Sequence, residues 1–245
     1  MARSMSAPSY LVLDIETIPD DELFALPEAA PGVERPFPPL HACKPVVLGV
    51  LWLDESLTCK RMGTIGEAED EWGMLTDFAD FMERFRPRLV TWNGRGFDLP
   101  VLRLRALKYG LSFPWYYDTP ELRDRRSDQG HLDLADFLAD HGAARMTSLD
   151  GVSRLCGLPG KAGMDGSQVE GLYRAGQLET LRNYCLSDVA QTAFIFLRTW
   201  LLVGKIDREK YRQSAAALLE ALEADGRSSR LVGLIDRTKL LLGEG

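Results

Sequence analysis

Two carboxylates lie two residues apart in an apolar segment near the start of the chain. Asp14 and Glu16 fall within Tyr10–Thr17, whose apolar residues are typical of a buried β-strand. Because strand side chains alternate between faces, both acids project from one face, roughly 7 Å apart. Buried like charges repel each other and lose solvation unless a cation compensates them. The pair therefore predicts a divalent metal ion with hard oxygen ligands, although one acid pair also fits a solvated turn at a strand end.

A third acid is predicted on the buried face of a long helix. The apolar spacing from Leu178 to about Leu202 is helical, and a step of 100° per residue places Asp188 in the middle of the apolar stripe. An inward-facing Asp is costly unless it is paired or binds a metal ion. Tyr184 lies one turn earlier, where a tyrosine is also common as an ordinary core residue.

A fourth acid, Asp98, occurs in the segment WNGRGFDLP (residues 92–100), just before a predicted helix that Gly110 ends. The position suits an N-cap residue, whose side chain accepts a backbone hydrogen bond at the start of the helix. It equally suits a further metal ligand, and the sequence alone leaves both roles open.

Taken together, these residues resemble the three exonuclease motifs of the DEDD 3′–5′ exonucleases. Four acids and one tyrosine occur in the order of those motifs: Asp14, Glu16, Asp98, Tyr184 and Asp188. The tyrosine subtype fits and the histidine subtype does not, because Asn183 occupies the position five residues before Asp188. The NGxxFDxP pattern most resembles the proofreading domain of family-B DNA polymerases, in particular its stand-alone bacterial relatives. The resemblance covers roughly residues 9–203.

The resemblance implies a ribonuclease H-like α/β fold, with a mixed five-stranded sheet flanked by helices and with extra C-terminal helices. It implies two divalent cations, Mg²⁺ or Mn²⁺, about 3.5–4 Å apart. Asp14, Glu16 and Asp188 would hold the ion that carries the attacking water. Asp14 would bridge to a second ion that Asp98 supports. Tyr184, with an ordinary pKa of about 10, suits orienting the water by a hydrogen bond better than acting as a general base.

The implied reaction is hydrolysis from the 3′ end of single-stranded DNA, with release of 5′-nucleoside monophosphates. Asn93 and Phe97 are candidate contacts for the terminal nucleotide, and Thr17 for its 3′-hydroxyl. Each also has a purely structural explanation, as a turn Asn-Gly, a core Phe and a strand-end Thr. Two other functions stay open: trimming of RNA in place of DNA, and nucleic-acid binding by a non-catalytic module with the same fold.

The elements that must position these residues alternate between strands and helices, which predicts a mixed sheet with helices on both faces. We predict strands over Tyr10–Thr17, Val46–Leu53, Leu57–Met62, Arg88–Trp92 and Trp115–Asp118, and helices over Glu67–Phe85, Asp98–Lys108, Leu132–His141, Ser148–Cys156, Gln168–Ala175, Leu178–Leu202 and Asp207–Ala224, with a final apolar helix. Asp133 could help cap the helical residues Leu134–His141 and is not placed in the site. An irregular loop spans Pro19–Pro45. Lys161, in the glycine-rich stretch 157–166, fits an exposed flexible connector better than a phosphate contact.

We predict that residues 1–203 form the exonuclease domain, and that residues 204–245 form a helical extension packed on it.

Composition and charge limit the class of protein. The chain has 245 residues, 45% of them hydrophobic, which is enough for one sizeable core. We expect a cytoplasmic protein, because the chain has no apolar run long enough for a membrane span and no signal-peptide pattern. The net charge of −7 predicts weak, salt-sensitive DNA binding with low processivity unless a partner protein tethers the enzyme.

Seven basic residues between Arg84 and Lys108 suggest either an anion-binding surface or solvated helix faces. The four cysteines have no metal-binding spacing, and Cys156 and Cys185 suit burial.

Overall fold

A computed structural model of the protein describes residues 9–24, 36–161 and 168–243. Five strands form one sheet: β1 (Tyr10–Pro19), β2 (Cys43–Leu53), β3 (Cys59–Thr64), β4 (Arg88–Thr91) and β5 (His131–Asp133). Their order across the sheet is β3-β2-β1-β4-β5. The pairs β1–β2 and β2–β3 are antiparallel, whereas β1–β4 and β4–β5 are parallel. The carboxyl ends of β1, β4 and β5 therefore meet at one edge of the sheet.

Helices cover both faces of this sheet. In chain order they are α1 (Glu71–Phe85), α2 (Asp98–Tyr109), α3 (Pro114–Tyr117), α4 (Pro120–Arg123), α5 (Leu134–Leu138), α6 (Leu149–Leu155), α7 (Val169–Arg174), α8 (Leu178–Leu202), α9 (Arg208–Asp225), α10 (Ser229–Gly233) and α11 (Arg237–Leu240), with 3₁₀ turns at Leu40–Ala42 and Asp140–Gly142. This mixed five-stranded sheet between two helical layers confirms the predicted fold class.

Strand β1 is buried on both faces and separates two apolar cores. Leu11, Leu13 and Ile15 pack against residues of α1, α2 and α3. Tyr10 and Val12 pack on the opposite side, in the core that contains α8 and α9. Because side chains alternate along the strand, Asp14 and Glu16 belong to the α8 face.

Helix α8 lies unusually close to the sheet where it crosses β2. Gly49 of β2 pairs with Asp14 of β1. A Cβ atom at Gly49 would lie 2.6 Å from Cys185 Sγ and 3.2 Å from Val189 Cγ2, both on α8. The missing side chain at this position thus permits α8 to approach the carboxylate strand.

The fifth strand is not where the sequence predicted it. The segment Trp115–Asp118 forms α3 instead, because Pro114 lacks an N–H for a strand ladder and suits the first turn of a helix. Trp115 is buried against Phe78 and Phe113. The fifth strand, β5, takes its residues from the start of the segment predicted as the 132–141 helix.

Several predicted boundaries shift. Helix α1 begins at Glu71 rather than Glu67, because Asp70 accepts a hydrogen bond from the Gly73 N–H, 2.8 Å away, and caps the helix. The predicted 19–45 loop is shorter at both ends, since β1 runs to Pro19 and β2 starts at Cys43; residues 25–35 of it lie outside the described residues. Residues 162–167 of the predicted glycine-rich connector also lie outside them. The final apolar helix is two short helices, α10 and α11.

The C-terminal helices share the core of α8. Tyr211, Leu218 and Leu240 are buried in the same apolar cluster as the α8 residues. The division of the chain at residue 203 stays a prediction. Within residues 9–24, 36–161 and 168–243, no helix combines the length and the apolar composition needed to cross a membrane.

Candidate active site

The strand carboxylates face α8 at the carboxyl end of β1. Cys185 of α8 places its Sγ 3.5 Å from the carbonyl oxygen of Asp14 and 3.6 Å from its Oδ2. Ligand atoms of Asp14, Glu16 and Cys185 all lie within 4.8 Å of one another. The pairing of β1 with β2 shifts register between Glu16 and Thr17, and such bulges redirect side chains next to active sites.

Asp98 joins this group from the other side of the sheet. It is the first residue of α2, and its buried Oδ1 accepts a hydrogen bond of 3.1 Å from the backbone N–H of Ile15. The capping role that the sequence left open is wrong, because the N-cap position is Phe97 and the Asp98 carboxylate bonds to β1 instead. This bond holds the Asp98 carboxylate against the backbone of Ile15, the residue between Asp14 and Glu16.

Asp188 projects from α8 toward the same place. The Tyr184 hydroxyl donates a hydrogen bond to its carboxylate. Gln191 donates a second one through Nε2, 3.3 Å from Asp188 Oδ1. The Gln191 Oε1 in turn accepts the Gly160 N–H at 2.8 Å, which ties the chain at residue 160 to the acid.

The four carboxyl groups share one electrostatic environment. Burial, followed by the charges of Asp98, Glu16 and Asp188, raises the pKa of Asp14 well above its ordinary value of 3.8. Burial and the charges of Asp188 and Asp98 raise the pKa of Glu16 in the same way. Burial also raises the pKa of Asp98 to about 7 and that of Asp188 to about 6. The structure therefore brings together all four predicted acids.

This donor set fits hard divalent cations. Four carboxylates provide the oxygen ligands that Mg²⁺ and Mn²⁺ prefer. Burial and the neighbouring carboxylates raise the pKa of Cys185, so its thiol stays protonated and acts as a hydrogen-bond donor to Asp14. The raised carboxyl pKa values mark a negative potential that bound cations would relieve.

Lys161 is a cation at the edge of the acid cluster. Its charge lowers the pKa of both Glu16 and Asp188. Its backbone N–H donates to Asp150 Oδ1 at 2.7 Å, and the preceding Gly160 has a φ of +70°. Lys161 is exposed, as the sequence predicts, and this hydrogen bond holds its backbone beside the site.

The loop that carries the predicted substrate contacts is held by Asp133. The Asp133 carboxylate accepts the N–H groups of Asn93 and Arg95, each at 2.9 Å, and also caps α5 through Asp136 N. Asn93 adopts a left-handed φ of +62°, which Asn tolerates better than most residues. The predicted capping role of Asp133 is confirmed, and its second role in fixing the 93–95 turn was not foreseen.

The other two predicted substrate contacts have protein partners. The half-buried Phe97 ring lies 5.7 Å from the ring of Phe37, which is 71% exposed. The Thr17 side chain hydrogen-bonds with the Cys43 thiol. Phe97 thus has an exposed aromatic neighbour, whereas the Thr17 side chain has the Cys43 thiol as its partner.

Three supporting roles were not predicted from the sequence: the bonds of Asp133 to the 93–95 turn, the bond of Gln191 to Asp188, and the charge of Lys161 beside the acids. Two of them had a usable signal. Asp133 ends a strand parallel to β4, where side chains gather at a sheet edge, and Gln191 lies one helical turn after Asp188 on the buried face. The position of Lys161 depends on tertiary contacts and left no local signal.

Comparisons with known proteins define the class of this fold and site. A family-B DNA polymerase from the hyperthermophilic archaeon Pyrobaculum calidifontis has a similar structure, with a TM-score of 0.52 at 20% identity. The match covers 96% of this chain and 28% of the polymerase. The two structures share a fold, the ribonuclease H-like α/β fold with a mixed five-stranded sheet. No curated protein matches the sequence.

A family model identifies the chain more closely. Residues 35–233 match the model described as a predicted 3′-5′ exonuclease related to the exonuclease domain of PolB. The chain belongs to this family of PolB-related exonucleases, which confirms the resemblance stated from its motifs.

Proposed function

We propose that this protein is a metal-dependent 3′–5′ exonuclease that shortens single-stranded DNA and releases 5′-nucleoside monophosphates. The observation that carries the proposal is the convergence of Asp14, Glu16, Asp98 and Asp188 in one cluster, in which Glu16 and Asp98 are buried and Asp14 and Asp188 partly buried. Membership of the PolB-related exonuclease family supports the same reaction. Because all four acids are present, the proposal of a non-catalytic binding module is disfavoured.

The four carboxylates would hold two divalent cations, Mg²⁺ or Mn²⁺. Cations bound there would stabilise charge on the attacked phosphate and make a water molecule more nucleophilic at neutral pH. Asp14, whose pKa responds to each of the other three acids, has the central position. The protein contributes the fixed arrangement, through the Ile15 N–H bond to Asp98 and the Gln191 bond to Asp188.

Tyr184 would orient the attacking water. Its hydroxyl donates to Asp188, which leaves the hydroxyl oxygen free to accept a hydrogen bond from a neighbouring water. Burial and the charges of Asp188, Glu16 and Asp14 raise its pKa above the ordinary value of 10.0, so the group stays protonated and cannot act as a base. Lys161 would attract the phosphate and offset part of the acid charge.

The terminal nucleotide would bind at the amino end of α2. Phe97 and its neighbour Phe37 offer aromatic faces for the last base, and the Asn93 amide would contact the backbone. Thr17 stays a candidate contact for the 3′-hydroxyl of the terminal nucleotide. DNA is preferred over RNA here because the family is related to the exonuclease domain of a DNA polymerase.

Two further properties stay predictions. A net charge of −7 favours short, salt-sensitive encounters with DNA, so we expect low processivity unless a protein partner tethers the enzyme. The second is a cytoplasmic location, an expectation that is independent of the charge.

The direct test is digestion of a 5′-labelled single-stranded DNA oligonucleotide with Mg²⁺ or Mn²⁺. We expect a ladder that shortens from the 3′ end, 5′-nucleoside monophosphates as the product, and no reaction in EDTA. Asp14→Asn should lower the rate about 100- to 1000-fold, because the central ligand loses its charge. A matched RNA strand, assayed in parallel, decides whether RNA is the better substrate.

Asp54→Asn is the matched control. Asp54 bonds the N–H groups of Ser56 and Thr58 in the β2–β3 turn, and an Asn oxygen can replace these bonds. Its activity should stay within about twofold of wild type, as for surface changes away from a site. The proposal is wrong if Asp14→Asn digests the strand as fast as wild type.

A further inference from the structure

A groove beside the acid cluster is shared between α8 and the C-terminal helices. Its cavity of about 270 Å³ includes Tyr184 and Asp188 on the α8 wall. The other wall consists of Arg227, which lies between α9 and α10, and of Ser229 and Arg230, the first two residues of α10. We call this cavity the C-terminal groove. It includes one of the carboxylates, Asp188, and extends to residues 227–231, which lie outside the exonuclease motifs.

Two guanidinium groups line the second wall of the C-terminal groove. Arg227 is held in place, because its Nε and Nη2 bond to Asp225 and its Nη2 also bonds to the Met62 carbonyl at 2.7 Å. Its Nη1 donates to no group in the described ranges. Arg230 is exposed and forms no ion pair with any residue of those ranges. The groove therefore presents unused donors and positive charge in a protein whose net charge is −7.

The opposite wall adds neutral polar groups. Thr180, Asn183 and Ser187 lie along the same side of α8 as Tyr184. The Asn183 Oδ1 is buried and has no hydrogen-bond partner among the described residues. Polar side chains facing arginines are typical of a surface that binds a phosphate-sugar chain, where donors contact phosphates and amides contact sugars or bases.

The direction of the groove indicates which part of a strand would lie in it. The proposed terminal-nucleotide contacts, Asn93 and Phe97, belong to the β4–α2 connection on the α2 side of the sheet. The C-terminal groove lies on the α8 side, beyond Asp188. Cleavage of the last phosphodiester releases the terminal nucleotide on one side, so the remaining strand has to leave on the other.

The geometry points to the C-terminal groove as the binding site for the backbone of the substrate strand on the 5′ side of the cleaved bond. Arg230 contacts a phosphate there and the pre-positioned Arg227 supports the next contact. This inference rests on the proposed exonuclease function. It adds a role for the helices that follow α8, which the sequence analysis treated as a structural extension.

The test compares a long and a minimal substrate for Arg230→Ala. The long substrate is a 12-nucleotide single-stranded DNA; the minimal one is thymidine 5′-monophosphate p-nitrophenyl ester, which has a leaving group but no upstream backbone. We expect KM for the long strand to rise about tenfold, with its salt dependence reduced by about 0.7 in log–log slope, as for one lost phosphate contact. Hydrolysis of the ester should stay at the wild-type rate.

Two further variants separate this role from a structural one. Arg230→Lys keeps the charge and should recover most of the affinity for the long strand. Arg84→Ala removes another exposed arginine, which lies over the Phe85 ring at the far end of α1. This variant should hydrolyse both substrates with wild-type kinetics. Thermal unfolding should be unchanged in all three variants.

Equal KM values for wild type and Arg230→Ala on the long strand would overturn the inference while leaving the exonuclease function intact. Equal losses of activity on the long strand and on the ester would overturn it too. They would show that Arg230 acts on the reaction itself rather than on strand binding. A wild-type protein that hydrolyses neither substrate contradicts the exonuclease function itself, and the groove inference with it.

Discussion

Tyr184 shows how a residue's environment decides its chemistry. A tyrosine beside a reacting water could act as a base only if its pKa were lowered. Here burial and three carboxylates raise the pKa, and the hydroxyl is a donor to Asp188. The side chain is therefore suited to holding a water and a carboxylate in position, whereas proton removal has to come from elsewhere in the site.

We predict that Tyr184→Phe lowers kcat about 10- to 100-fold, because one orienting hydrogen bond is lost. KM should change little. The rate of the variant should follow the wild-type pH profile between pH 6 and 9, since a tyrosine with a raised pKa does not titrate in that range. Steady-state assays across this range, with Tyr173→Phe as the control, check the prediction. Loss of an ionisation from the variant's profile would assign Tyr184 as a base and contradict the account.

At the scale of elements, the site depends on how closely α8 approaches the sheet. Gly49 lies opposite Asp14 in the β1–β2 pair and directly beneath Cys185. Its own backbone has an ordinary conformation, so the requirement for glycine comes from packing. Any side chain there pushes on the helix that carries Tyr184 and Asp188.

We therefore predict that Gly49→Ala destabilises the fold by about 1–3 kcal/mol through overpacking. It should lower kcat up to about 100-fold, since a displacement of about 1 Å is enough for such a loss. Gly171→Ala is the control, because a Cβ atom there has no neighbour within 4 Å. Thermal unfolding and single-turnover rates test both variants. Wild-type activity in Gly49→Ala would mean that the spacing between α8 and the sheet does not position the acids.

The elements also show what the sequence could and could not predict. The alternation of side chains along a strand placed Asp14 and Glu16 on one face, and the helical repeat placed Asp188 on the inward face. These local patterns were sufficient to predict the three acids as candidate ligands. The partner of Asp98 was not predictable, because its bond to Ile15 joins residues 83 positions apart. The three-residue strand β5 is too short to show any alternation, and its pairing with β4 depends on the rest of the sheet.

At the scale of the whole molecule, charge is distributed in a way that the sequence did not indicate. The basic stretch from Arg84 to Lys108 is not a single binding surface: Arg105 is buried and paired with Asp20 and Glu71. Arg227 and Arg230 line the groove that also includes Tyr184 and Asp188, in a C-terminal part that has no motif signal. The packing of α9 against α8, and of α10 against α9, brings them there.

The acid cluster links the state of the whole protein to pH and to cations. In the cation-free protein, the raised pKa values of about 7 for Asp98 and about 6 for Asp188 leave these groups partly protonated near neutral pH. Cations bind the deprotonated form, so binding has to release protons. The apparent affinity should therefore rise from pH 6 to pH 8, while the number of protons released per protein falls.

Calorimetric titration of Mn²⁺ into the protein tests the central claim, that these four acids form a cation site, most directly. Measured at pH 6, 7 and 8 in buffers of different ionisation enthalpy, the wild-type protein should bind two ions, with an affinity that rises and a proton release that declines with pH. Asp14→Asn should lose this binding, and Asp54→Asn should keep it. The claim would be contradicted if wild type and Asp14→Asn bound Mn²⁺ equally, or if binding released no protons at pH 6.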